Sequence, residues 1–447
     1  MRGPLLRDIT VSVTTRRELL SASLAAMTAL AAPPEPKPTG LRFGANFVPP
    51  ERWWFCWQDW DAPALAANLR ATADLGLDHV RIQLLWPMIQ PGPNYVSEAM
   101  LARLHELLDA ADAAGLDVAV TVLNGWMSGW SFLPQWVKPL SKGNIFTDPA
   151  VIESEKLLFH RIAETIGTHR RFLGFDIGNE LGVLQGMSNP ATPAEADAWS
   201  RQILGHCDAV APGRFHVNGV DHVHWFNDFG FTRANIATTG HASVVHSYGM
   251  FTGSFEHYGG KGTGSLHLAE YMAELAFAYH REPARRVWVE ETGVVPDKYI
   301  PADYMPEYME HLVRNAASTG KLWGITWWCS HDFDPAVKGF DPMEYQLGLL
   351  DRAGRPKPLG RKFAELVREL SGTPQTGGDR RVALVIPDRG LSEKAWPPDW
   401  SWATPFMKLL QRGKRPTIVL ASRQNEPSYL LERRVTELVP LADAARY

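Results

Sequence analysis

The sequence is poor in cysteine, nearly balanced in charge and, past its N-terminus, free of long apolar runs. Three cysteines in 447 residues, Cys56, Cys207 and Cys329, are too few for a disulfide framework and are not spaced as metal ligands, so they read as buried free thiols. A formal net charge of -4 gives no field that would draw in a nucleic acid or an anionic membrane surface. No stretch after the leader is long and apolar enough for membrane insertion. The remainder is a globular composition, 45% hydrophobic and 21% charged, with ample material for a large core. Oligomeric state is not legible from it.

Tryptophan, by contrast, is abundant at seventeen residues. Part of this is core filler, because Trp is mostly buried on average. The rest gathers in loops. Trp53, Trp54, Trp57 and Trp60 form one group, and Trp126, Trp130 and Trp136 another. Each group divides evenly between a packed lid and flat faces for stacking on sugar rings.

At the N-terminus, TTRRELLSASLAAMTALAAPP (14–34) sets Arg16-Arg17 before a modest Ala- and Leu-rich run, then Ala29-Leu30-Ala31 and prolines. That is the layout of a twin-arginine export signal, so residues 1–35 are set aside from the fold and the mature chain is expected outside the cytoplasm.

From residue 41 short β-prone runs alternate with helical periods. Strands are predicted at 41–47, 78–86, 116–123, the 171–180 run RFLGFDIGNE, 214–219, 241–248, 286–291 and 322–328. Helices lie between them, with Asp61 and Ser97 as N-caps and a capping box at TPAE (192–195). Eight such units over 41–370 predict an α/β fold, a (β/α)8 TIM barrel. The fifth-to-sixth connection, FTRANIATT, makes a poor helix. Residues 371–380 read as a linker, and 381–447 as a small C-terminal α/β segment of unreadable role.

Active sites of such barrels lie at the C-terminal ends of the strands. The fourth strand ends in Asn179-Glu180, the sixth in His246-Ser247-Tyr248, the seventh in Glu290-Glu291 and the eighth in Trp327-Trp328; the second contains Arg81. Two carboxylates on rigid elements are the minimum equipment for acid/base or nucleophilic work on a glycosidic bond. Period-two phase groups Glu291 with Val287 and Val289, the branched residues expected inside the barrel, and leaves Glu290 to pair with a nearby base.

In this order, N-E, H-x-Y, E-T-G and the final Trp resemble glycoside hydrolase family 5, a clan A family of retaining β-glycosidases, over residues 41–370. The stretch from WWFCWQDWD to RIQLLWPMIQP (53–91) is similar to bacterial members. The resemblance implies Glu180 as general acid/base, Glu291 as nucleophile and Asn179 as partner of the sugar 2-hydroxyl. It further implies Tyr248 orienting Glu291, His246 positioning substrate or acid, Arg81 holding the nucleophile ionised and Trp327 flooring the sugar subsite. The carboxylates should then lie about 5–5.5 Å apart. No cofactor is implied. Where many members carry a His after the third strand, this chain has Asn124 and Trp126, much as in mannan-active members. That places β-mannan slightly ahead of β-glucan as the carbohydrate substrate, with exo action on small glycosides as the rival to cleavage within a chain.

Two readings from other classes compete. His222 and His224 form an H-x-H pair of the kind that binds metal in other barrel hydrolases, but there it follows the first strand, and here it follows the fifth. A non-catalytic sugar-binding barrel is disfavoured by the presence of both carboxylates.

Overall fold

In the computed structural model, which describes residues 40–137, 143–375 and 377–444, seven strands form one parallel sheet. Their spatial order is Phe172–Asp176, Asp117–Thr121, His79–Gln83, Arg42–Asn46, Leu322–Trp327, Arg286–Thr292 and Ala242–Ser247. The Arg16-Arg17 segment lies outside the described residues.

The predicted fifth strand supplies the missing position without becoming a regular strand. On one side Phe215 N and Val217 N donate to Leu173 O and Phe175 O at 2.8 Å, and Ile177 N donates to Val217 O at 3.0 Å. On the other, His241 N donates to His216 O at 2.8 Å, but His216 N finds the His241 ring Nδ1 at 3.0 Å instead of a carbonyl. A side chain interrupts the ladder there, so the segment closes a (β/α)8 barrel as an irregular eighth stave. The connection that follows carries only two four-residue helices, Val223–Phe226 and Arg233–Ile236, the second capped by Thr232.

Helix starts follow the local chemistry. Asp61 accepts from Ala64 N, Ser97 from Met100 N, and Thr192 and Glu195 close a reciprocal capping box. Such caps are each worth about 1 kcal/mol. Among the described residues no helix is long and apolar enough to cross a membrane.

The barrel interior has two layers. The lower one is aromatic. His79 lies edge-on to Trp288 at 5.8 Å and to Trp323 at 5.1 Å, and its Nε2 is 2.8 Å from Thr326 Oγ1. Phe215 stacks on Trp323 at 4.6 Å. Gly44 makes room for this: a Cβ there would lie 2.3 Å from His79 Nε2.

These contacts overturn the simple phase along the seventh and eighth positions. Trp288 meets His79 from across the barrel, so it points inward and its neighbours Val287 and Val289 point outward. Along the strand Val289 pairs with Val245 but Glu291 with His246, so Glu290 is the extra residue of a bulge. The bulge lets Glu290 and Glu291 both face the interior. A second irregularity, with Val287 opposite Leu322 and Trp288 opposite Gly324, sets the phase of the eighth strand.

The stretch read as a linker is pinned to the barrel. Gln375 bonds both N and O of Leu322, and buried Arg380 pairs with Glu270 at 2.6 Å and Glu274 at 3.2 Å. Beyond it Val382–Ile386, Pro416–Leu420 and Glu437–Pro440 form a three-stranded parallel sheet that packs on the Leu268–Tyr279 helix. Thr417 donates to Glu274, and Tyr429 to Ala278 O. The described residues make one compact unit.

Candidate active site

Above the aromatic floor the interior turns ionic, and Arg81 is its centre. Its guanidinium is fully buried and donates to Asp176 Oδ2 from Nε at 3.1 Å and Nη2 at 2.7 Å. It also reaches Asn179 Oδ1 at 2.9 Å, Asn46 Oδ1 at 3.0 Å and Glu291 Oε1 at 2.5 Å, with Glu290 Oε1 3.4 Å away. Burial works against its charge, but Glu290, Asp176 and Glu291 more than reverse this and keep it a cation. Asp176, which the sequence reading quoted but did not single out, is pushed up to about 6 by burial and Glu290.

His246 is the second organiser. Its Nδ1 lies 3.0 Å from Glu180 Oε1, its Nε2 3.0 Å from Glu290 Oε2, and Glu291 Oε2 is 3.6 Å away. Burial would lower its pKa; the carboxylates of Glu291, Glu180 and Glu290 instead raise it to about 10. His246 is therefore an imidazolium bridging acids on three sides.

Glu180 starts the short helix Leu181–Met187 with a left-handed backbone, φ 46° and ψ 48°. Non-glycine residues seldom adopt that conformation, and such strain concentrates at functional sites. It is held by Glu180 N donating to Gly219 O at 2.8 Å. Gly219 must be glycine for the chains to approach, since a Cβ there would sit 2.6 Å from the Asp176 carboxylate. Burial alone would raise Glu180; the hydrogen bond and charge of His246, then His222, outweigh this and hold it below the usual range.

Glu291 faces it. Tyr248 OH donates to Glu291 Oε2 at 2.8 Å while Arg81 holds Oε1. Burial raises the Glu291 carboxyl and Glu180 adds to that, against His246, Arg81 and Tyr248. One oxygen of Glu180, one of Glu291 and a His246 nitrogen all lie within 4.8 Å of one another. That approach matches the short spacing of a retaining pair rather than the wider one, about 6.5–9.5 Å, of an inverting pair.

The other predicted residues divide. Asn179 accepts from Arg81 and donates to Trp126 O at 2.9 Å, which leaves one amide hydrogen for a ligand. Asn124 has no exposed surface; its amide donates to Gln83 Oε1 at 3.1 Å, so it braces the loop from beneath and does not line the site. Trp126 is half-buried and contributes its carbonyl to Asn179.

Trp327 is a correction. It is 0% exposed and its ring lies 6.0 Å from Phe363 on the outer helix Pro358–Leu370, so it points away from the cavity. The next residue, Trp328, is on the opposite phase and packs edge-on to Trp53 at 6.1 Å. Trp53, Trp54 and Trp57 are buried rather than presented to solvent. Trp53 and Trp54 pack with Phe132, Phe333 and Phe340 into a wall built from the loops after the first, third and eighth strand positions.

His222 and His224 do not converge. His224 Nδ1 lies 2.8 Å from Phe229 O, whereas both ring nitrogens of His222 are buried without a protein partner, close enough to Glu180 to act on it. Among the described residues the one three-residue group with metal-ligand spacing is Glu180, His246 and Glu291. Its donor atoms are already used by Arg81, Tyr248 and the imidazolium.

Comparison with known proteins agrees with this geometry. The family model for cellulase (glycosyl hydrolase family 5) matches residues 44–333. A GH5_18 enzyme from Streptomyces cattleya, solved as a variant in complex with Manβ1-4GlcNAc, is 37% identical over 90% of this chain and 100% of its own, with a TM-score of 0.85. A GH5_18 enzyme from Bifidobacterium longum subsp. infantis is 30% identical over 92% of this chain and 100% of its own, with a TM-score of 0.83. An exo-β-1,4-mannosidase from Opitutaceae bacterium strain TAV5, 24% identical over 90% of this chain and 72% of its own, shares the fold at a TM-score of 0.73. No curated protein sequence matches. With the family shown, the metal-hydrolase and sugar-binding readings give way: the chain belongs to glycoside hydrolase family 5 and is a retaining hydrolase of O-glycosyl bonds.

Proposed function

We propose that the protein is an exo-acting β-mannosidase that releases mannose from the non-reducing end of a short β-1,4-linked glycan, with Glu180 as general acid/base and Glu291 as nucleophile. The approach of these two carboxylates within 4.8 Å carries the reading of the chemistry. Glu291 attacks the anomeric carbon while Glu180 protonates the departing oxygen, giving a covalent glycosyl-enzyme. Arg81 and Tyr248 hold the attacking carboxylate ionised and aimed. The proton needed by the leaving group resides in the Glu180–His246 pair, which is short of none while His246 is an imidazolium.

Once Glu291 is esterified its negative charge is gone. Arg81 is then less neutralised, and its field favours the ionised form of Glu180, which takes a proton from water in the second step. Asn179, fixed by Arg81 and Trp126 O, offers its free amide hydrogen to the sugar 2-hydroxyl. Trp328, rather than Trp327, supplies the aromatic face beside the scissile bond. His222, with two unpartnered nitrogens beside Glu180, fits a polar group of the leaving sugar.

Exo action is supported by the aromatic wall. Packed loops after the first, third and eighth strand positions close one side of the site, where a long polysaccharide would need an open groove. The sugar is supported by the ligand of the Streptomyces cattleya relative, whose complex contains mannose linked to N-acetylglucosamine. We also propose that the chain is exported by the twin-arginine route, from Arg16-Arg17 and the small-residue site at Ala29-Leu30-Ala31.

The test is turnover of an aryl β-mannoside beside β-glucoside, β-galactoside, mannan and cellulose. Glu291→Ala should abolish turnover, and azide should restore it with an α-glycosyl azide as product. Full activity in that variant removes Glu291 as nucleophile; release of oligosaccharides from mannan removes exo action.

A further inference from the structure

Glu344 is a buried acid that the mechanism above does not use. It belongs to the 3-10 turn Pro342–Gln346, in the long loop after the eighth strand position, and is 7% exposed. Among the described residues its carboxylate has one hydrogen bond, from Ser128 Oγ to Oε2 at 3.1 Å, and no cation within ion-pair distance. Ser128 comes from the hairpin after the third strand and holds a left-handed backbone with φ 49°. The two loops meet again where Phe340 lies 6.1 Å from Trp130, a ring that remains 37% exposed.

A carboxylate buried with one neutral donor is expensive to keep ionised, and nothing in the barrel framework uses it. Burial, with Glu291, Asp341 and Glu180 adding, pushes it up to about 7. Ser128 stands two residues after Trp126, whose carbonyl accepts from Asn179 at the site, so the hairpin carries Glu344 to the rim of the catalytic cavity, near enough for Glu291 and Glu180 to act on its charge. Its second oxygen is free to accept.

We propose that Glu344, presented by Ser128, binds adjacent hydroxyls at the non-reducing end of the sugar and so selects a free chain end. The inference rests on the exo-glycosidase reading. A carboxylate accepts two neighbouring O–H donors side by side, as it accepts the two N–H groups of an arginine. A sugar extended through one of those oxygens has lost that donor, and its next residue would run into the Trp130–Phe340 wall. Glu344 therefore supplies the missing donors' partner only when the chain ends there. It is a specificity residue and takes no part in bond making.

The experiment compares the wild type with Glu344→Gln and Glu344→Ala on an aryl β-mannoside and its 3-deoxy and 4-deoxy analogues, with thermal unfolding measured alongside. Loss of a hydrogen bond to a charged group predicts a fall in kcat/KM of about 10- to 100-fold for either variant on the parent sugar. The wild type should show a fall of similar size on one deoxy analogue, and variant and deoxy losses should not multiply. The isosteric Gln variant keeps the test intact if the Ala variant does not fold. Parent kcat/KM within about twofold of wild type in both variants, or penalties that multiply independently, overturns the proposal. If wild type prefers another aryl β-glycoside, the mannose reading fails and the same deoxy series on the preferred sugar decides Glu344. If it turns over none, both fall.

Discussion

Replacing Tyr248 with Phe removes one hydroxyl and leaves the ring in place. In the structure that hydroxyl donates to Glu291 Oε2 at 2.8 Å, opposite the Arg81 contact on Oε1. A hydrogen bond to a charged group contributes about 1.5–3 kcal/mol, and one pKa unit corresponds to about 1.4 kcal/mol. Glu291 already lies above its ordinary value because burial and Glu180 outweigh its donors. Loss of the phenol removes one of the groups that favour the ionised carboxylate and should therefore lift it further. The free-enzyme pH profile tests this, because the acid limb of kcat/KM reports the ionisation of the nucleophile. In Tyr248→Phe the limb should move to higher pH, and kcat/KM on the plateau should fall about 10- to 100-fold. Inactivation by a 2-deoxy-2-fluoro glycoside should slow in parallel, since it needs the same ionised carboxylate. An acid limb that stays in place while only KM rises would falsify the orienting role and leave Tyr248 as a wall of the sugar pocket.

The charge on His246 predicts a stability profile. Its folded pKa, about 10, is above the ordinary histidine value, so the native state binds a proton more tightly than the unfolded chain does. The contribution is complete below about pH 6.5 and is lost as pH rises towards 10. Unfolding temperature should fall across that window, and His246→Asn should flatten the fall; an equal slope in the variant assigns it to other groups. For export, Arg16→Lys combined with Arg17→Lys should retain the full-length chain in the cytoplasm of a twin-arginine-competent bacterium, as seen by fractionation and immunoblot. Unchanged release of the double variant refutes that route.

What the sequence disclosed and what it hid follow from how local each feature is. An apolar β-prone run ending in Asn-Glu, an H-x-Y and a Glu-Glu are local signals, and their order along the chain carried the barrel and its catalytic rim. Phase was not local. Glu291 does face the cavity, but not through the alternation that grouped it with Val287 and Val289: Trp288 is the inward residue, and the bulge at Glu290 turns Glu291 in beside it. The same kind of irregularity near Trp323 sends Trp327 outward to Phe363. The fifth stave was legible as β-prone residues, whereas its replacement of a backbone partner by the His241 ring was not. Asn124 and Trp126 stood in the right loop, but only the fold shows Asn124 spent on Gln83. Glu344 sits in a turn with no motif around it, and its meaning depends on Ser128 from another loop more than two hundred residues earlier.

The two layers of the barrel interior explain why so many charges can be gathered at one place. Arg81 and His246 supply two positive charges against Asp176, Glu180, Glu290 and Glu291, interactions that bulk water would screen to about 1 kcal/mol per pair. Beneath it the floor is His79, Trp288, Trp323 and Phe215, ring against ring, with His79 Nε2 and Trp288 Nε1 spent on Thr326 and His79 Nδ1 on Asp78. That aromatic floor keeps the effective dielectric low under the carboxylates, which strengthens each interaction with Arg81 or His246. The excess negative charge then has two outlets: one carboxyl of the cluster takes up a proton, or a sugar with developing positive charge arrives between Glu180 and Glu291. An oxocarbenium-like sugar in the cavity meets the same surplus, so the field that burdens the resting protein is the field that favours its transition state.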